Sequence, residues 1–78
     1  MNKQRRKELN EVKERLEALK YRLEELEAEE QGYLDNMPES FQCGEKGETA
    51  EEAICALSTA QESIDEAMEA IDEATGEE

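Results

Sequence analysis

The feature that most constrains this chain is a three-four alternation of apolar residues: Leu9, Val12, Leu16, Leu19, Leu23 and Leu26, interrupted at Glu30 and resumed at Tyr33 and Met37. That spacing belongs to an α-helix with one seam buried against a neighbour. It decides a question that composition leaves open. With 41% charged and 4% aromatic residues, a chain can fail to bury enough apolar surface to order itself; the sustained periodicity argues instead for a helix from about Lys3 to Asn36. Pro38 disfavours helical geometry at Met37, so this helix should stop at or before that residue.

A loop over 37–48 follows, and then Thr49-Ala-Glu-Glu52 reads as a capping box, in which hydroxyl and carboxylate satisfy each other's backbone amides. It opens a second helix, expected from about Ala50 to Ala74, with Gly76 placed to end it and a short acidic tail over 75–78. This helix carries two rows with the same spacing. One is aliphatic, formed by Ile54, Leu57, Gln61, Ile64, Met68 and Ile71. The other is small, formed by Ala53, Ala56, Ala60, Ser63, Ala67, Ala70 and Ala74. Adjacent residues lie roughly 100° apart around a helix, so the rows run side by side over an arc that one neighbour cannot cover. The aliphatic row is expected to face the first helix. The small row is the expected oligomer interface, where another backbone can approach, unless its alanines serve helix propensity alone. A lone pair of helices is marginal in water. The expected architecture is therefore all-α: a single domain over 1–78 forming an antiparallel, coiled-coil-like two-helix hairpin. It should self-associate as a dimer or higher oligomer into a helical bundle, with Glu30 and Gln61 as candidates for setting register.

Charge supports the antiparallel direction. The formal net charge is −14. Residues 1–22 hold eight bases and four acids, while residues 62–78 hold eight acids and no base; residues 23–36 add six acids, and residues 37–61 five acids and Lys46. Folding back places the acidic end of the second helix beside the basic start of the first. There Lys13, Arg15, Lys20 and Arg22 flank the apolar row and can reach it. The same charge opposes direct nucleic-acid binding, where phosphate contacts dominate. It suits a basic protein partner.

Chemical signals are sparse. The chain has no His and no C-x-x-C around Cys43 or Cys55, so no zinc, redox or other cofactor site is expected, and free thiols suit a cytoplasmic setting. A mean hydropathy of −1.01 leaves no apolar run able to span a membrane or serve as a secretion signal. All-helical nucleotide pyrophosphohydrolases gather E-x-x-E and E-x-x-D carboxylates on magnesium. Glu48-x-x-Glu51, Glu62-x-x-Asp65 and Glu69-x-x-Asp72 match that spacing, but 23 acids produce such matches readily. No catalytic residue and no metal ligand is assigned, and the chain is read as non-enzymatic.

The loop end is the better candidate site. Tyr33 and Phe41 offer stacking surfaces; Asn36, Ser40, Gln42 and Thr49 offer polar contacts; Gly44 and Gly47 leave backbone amides open to a ligand. The competing expectation is that Phe41 and Met37 plug the end of the bundle.

The run Tyr33-Leu-Asp-Asn-Met-Pro-Glu-Ser-Phe-Gln42, followed by Gly-Glu-Lys-Gly-Glu and Ala50-Glu-Glu-Ala-Ile54, resembles small helical proteins encoded by phages and prophages. That resemblance carries no defined activity. It implies expression in a bacterial cytoplasm and a host-takeover or anti-defence role, in which an inhibitor engages a host protein through its acidic face and loop end. The alternative it implies is an oligomeric sponge for a small signalling nucleotide.

Overall fold

The computed structural model describes residues 1–76, so Glu77 and Glu78 of the expected tail lie outside the described residues. Helix α1 spans Lys3–Asp35, α2 spans Glu39–Gln42 and α3 spans Glu45–Thr75. Of the described residues 89% are helical and none is in a strand. No described helix is long and apolar enough to cross a membrane.

Helix α1 starts at a side-chain cap. The Asn2 carboxamide oxygen accepts from the Arg5 amide at 2.7 Å, satisfying one of the amides that a helix start leaves unpaired. Its other end is closed by Asn36, whose backbone and side-chain amides both donate to the Gly32 carbonyl, at 3.0 and 2.9 Å. Beyond it Pro38 takes an extended ψ of 148°, and the chain leaves the helix where the sequence places the break.

The two long helices pack along one another in opposite directions. Lys13 Nζ lies 2.6 Å from Asp72 Oδ1, and Lys20 Nζ lies 2.7 Å from Asp65 Oδ1. These rungs are one heptad apart on both helices. Nearer the turn, Gln61 Nε2 donates to Glu27 Oε1 at 2.6 Å. Gln61 thus pairs across the two helices of one chain. The result is a rod with principal extents of 58 × 15 × 11 Å.

The seam on α1 is not the expected apolar row. Its partly covered residues are Arg6, Leu9, Lys13, Leu16, Lys20, Leu23, Leu26, Glu27, Glu30, Gly32 and Leu34, with Met37 just beyond the helix end. Leu9, Leu16, Leu23, Leu26, Glu30 and Met37 belong to both rows. Lys13, Lys20 and Leu34 each lie one residue on from the expected Val12, Leu19 and Tyr33, which point outward and are 44%, 57% and 54% exposed. The physical reason is the opposing helix. Asp65 and Asp72 draw Lys13 and Lys20 to the seam, and lysine stems cover apolar surface while their charged heads stay wet. On α3 the aliphatic row does form the partly covered face. The interior is thin throughout: Ala50, at 2% exposure, is the one buried apolar side chain among the described residues.

The turn departs further from expectation. Helix α3 begins at Glu45, not Ala50, and most of the expected loop is helical. Thr49 is not a cap; its hydroxyl lies inside the helix and donates to the Glu45 carbonyl at 3.0 Å. The start is at Gly44, whose carbonyl accepts from the Glu48 amide at 3.0 Å. A local capping signal lost to a tertiary one. The backbone of α2 crosses α3 at Gly47 so closely that a Cβ there would sit 2.0 Å from the Gln42 carbonyl oxygen. Only glycine permits that crossing, and the extra helical turn supplies backbone hydrogen bonds that an open loop would leave to water.

Candidate functional site

At the turn end, several candidate residues are committed to the fold. Gln42 Nε2 donates to the carbonyls of Met37 and Leu34 at 3.0 and 3.2 Å, with Asp35 O at 3.4 Å. It therefore ties the turn to the end of α1, where the Leu34 carbonyl also accepts from the Met37 amide at 3.1 Å. Asn36 and Thr49 spend their side-chain donors on helix carbonyls, as described above. Gly47 is buried under α2, and Gly44 is the N-cap of α3. The acids Glu45 and Glu48 in the first turn of α3 occupy the region of positive dipole that an anionic ligand would need.

Tyr33, Ser40 and Phe41 remain exposed. Phe41 does not plug the end of the helix pair, as one expectation held, because half of its surface meets solvent. Instead the Lys46 ammonium sits 5.5 Å from its ring centroid, within cation–π range. Tyr33 and Thr49 come together in a shallow recess of about 370 Å³ that also contains Glu30, Glu45, Lys46 and Ala50. Lys46 is the residue that sequence reading missed. Its position next to the glycine at the helix crossing was the available signal. A broader surface depression of about 550 Å³ is lined by Glu48, Glu51, Glu52 and Cys55. Both cysteines are free and exposed.

The carboxylate pairs do not converge. Glu51 and Glu69 lie 18 residues apart on one straight helix, about 27 Å at 1.5 Å per residue, so E-x-x-E and E-x-x-D cannot share an ion within one chain. Asp65 and Asp72 are already paired with lysines. Among the described residues, no group of three or more His, Cys, Asp or Glu is placed to hold a metal.

Charge is distributed unevenly along the rod. Among the described residues the interhelical ion pairs run from mid-rod, at Lys20–Asp65, towards the free end, at Lys13–Asp72. Lys20 binds its proton more tightly than a free lysine, chiefly through its hydrogen bond to Asp65 and against the opposing effect of desolvation. Arg22 pairs along its own helix with Glu25 at 3.1 Å. Around the turn, residues 23–61 carry eleven acids and the single base Lys46. Of the small row on α3, Ala56, Ser63, Ala67, Ala70 and Ala74 are exposed, while Ala53 and Ala60 are partly covered.

No protein family, curated protein or solved structure matches this chain.

Proposed function

We propose that this chain is a non-enzymatic binding protein: a coiled-coil-like hairpin that self-associates and engages a basic protein surface through its acidic turn end. One observation carries the reading. Among the described residues the interhelical ion pairs lie from the middle of the rod, at Lys20–Asp65, towards its free end, at Lys13–Asp72, whereas the turn end keeps its negative charge, with Glu48, Glu51 and Glu52 grouped on one exposed surface. A field of that kind steers an oppositely charged partner and aligns it on encounter. In the setting implied by the loop's resemblance, the partner is a basic host protein in a bacterial cytoplasm.

The test is capture from bacterial lysate with the tagged chain, with and without the triple substitution Glu48→Lys, Glu51→Lys, Glu52→Lys. The expected result is a specific protein retained by the native chain, lost with the triple variant, and released by ~0.5 M salt, where the screening length falls to about 4 Å. A complex indifferent to both would overturn the reading. The competing reading, a sponge for a small nucleotide, would use the recess of Tyr33, Lys46 and Thr49. Glu30 and Glu45 in that recess oppose it. A rise in melting temperature with mono- or cyclic nucleotides would favour the sponge, because a ligand of the folded state must stabilise it.

A further inference from the structure

The outward row on α1 and the small row on α3 have one geometric property in common. Each lies one residue before its seam: Val12, Leu19 and Tyr33 precede Lys13, Lys20 and Leu34, while Leu26 is partly covered, and Ala56, Ala60, Ala67 and Ala70 precede Leu57, Gln61, Met68 and Ile71. Two antiparallel helices are related by a two-fold axis perpendicular to the plane they share. Rows at the same angular offset from the seam therefore emerge on the same face. The recess at the turn shows this directly, because Tyr33 of the α1 row and Thr49, four residues before Ala53 of the α3 row, line it together. The rod thus has one long face of leucine, valine, tyrosine and alanine. Its opposite face holds Glu51, Glu62 and Glu69 of α3.

We propose that a second copy of this chain covers the apolar face, with the two rods reversed end to end so that α1 lies antiparallel on the partner's α1. The proposal rests on the reading that the chain self-associates, and adds the surface and the symmetry. Size is the first support. The rod's 58 × 15 Å outline offers a face close to the roughly 800 Å² per partner of a stable interface. Exposed Leu19 and Val12 would then become core residues, which the single rod lacks. Charge chooses between the two symmetric arrangements. With the rods aligned, the two acidic turn ends would meet. With them reversed, each turn end, where residues 23–61 hold eleven acids and one base, faces a free end whose residues 1–22 and 62–76 together hold eight bases and ten acids. The alanines opposite let the backbones of the second layer approach closely.

Cys43 sits at the turn end and is exposed, which makes it a built-in reporter. The experiment uses the full chain carrying Cys55→Ser, spin-labelled at Cys43, with light scattering from 1 to 100 μM. The expected result is a dimer whose labels stand at opposite ends, separated by a distance approaching the 58 Å length of the rod. Leu19→Glu should weaken dimerisation at least ~100-fold by placing a carboxylate in the interface of each copy. Glu62→Gln on the opposite face should leave it unchanged. A strict monomer at 100 μM refutes self-association and this proposal together. A dimer with Cys43 labels within ~20 Å, or one insensitive to Leu19→Glu, refutes only the face and symmetry. The label distance is read on the chain with Leu19 intact, so it decides the symmetry even if Leu19→Glu unfolds on dissociation.

Discussion

Two glycines in this chain should respond oppositely to the same substitution. In α3, Gly47 lies beneath the backbone of α2, and a Cβ there would stand 2.0 Å from the Gln42 carbonyl oxygen, 2.5 Å from its carbon and 2.8 Å from its Cα. No side-chain rotation relieves a clash with backbone, so Gly47→Ala must push α2 away by more than 1 Å. That movement pulls Gln42 Nε2 from the carbonyls of Leu34 and Met37, at about 1 kcal/mol for each hydrogen bond, and uncovers Ala50. Against this, alanine recovers up to ~1 kcal/mol of helix propensity. The net expected loss is about 1–2 kcal/mol, a fall in Tm of roughly 4–16 °C for a domain of this size. In α1, Gly32 has nothing within 4 Å of its notional Cβ. There the propensity gain stands alone, and Gly32→Ala should raise stability by about 0.5–1 kcal/mol, or roughly 2–8 °C. Thermal melts followed by circular dichroism, at one fixed protein concentration because association shifts Tm, read both signs. If Gly47→Ala melts at or above the native temperature, α2 does not cross α3 at this point, and the start of α3 at Glu45 loses its physical explanation.

Three further outcomes follow from the same contacts. Thr49→Ala should change stability by less than ~0.5 kcal/mol, because its hydroxyl bonds a carbonyl within the helix; a loss near 1 kcal/mol in chemical denaturation would restore it as a cap. Gln42→Ala should cost about 1 kcal/mol and speed hydrogen exchange around residues 37–43, since it removes the side-chain bonds that hold α2 to the Leu34 and Met37 carbonyls. Lys20 holds its proton more tightly when folded, so its contribution is complete below the ordinary lysine pKa of 10.5 and disappears as pH rises through the higher folded value. The native chain should lose Tm across that alkaline window more steeply than Lys20→Met; parallel curves for the two would remove the Asp65 pairing as the cause.

Much of this fold is legible from local pattern. The three-four spacing gives the helices, Pro38 ends the first within one residue of the expected place, and Gly76 follows the second. The segregated charge anticipates the pairing of Lys13 and Lys20 with acids of α3. The candidate site was less legible. Gln42, Asn36, Thr49 and Gly47 look like ligand contacts when the loop is imagined as open, yet each is absorbed by closing the turn, and Lys46 was passed over because a single base among acids looks unremarkable in a sequence.

What the sequence determines alone is therefore what depends on neighbours three and four residues away: helix, break and the charge of each end. Two matters waited for the tertiary structure. On α1, the rows through Val12 and Leu19 or through Lys13 and Lys20 share Leu9, Leu16 and Leu23, and local periodicity favours the first. Asp65 and Asp72, more than forty residues distant, made the choice and sent the second apolar row outward. At the turn, a complete capping box at Thr49 was overridden because Gly47 let a second backbone cross above it. In both places the decision lay in a contact between segments remote in sequence, and no local spacing encodes which of two acceptable faces will meet it.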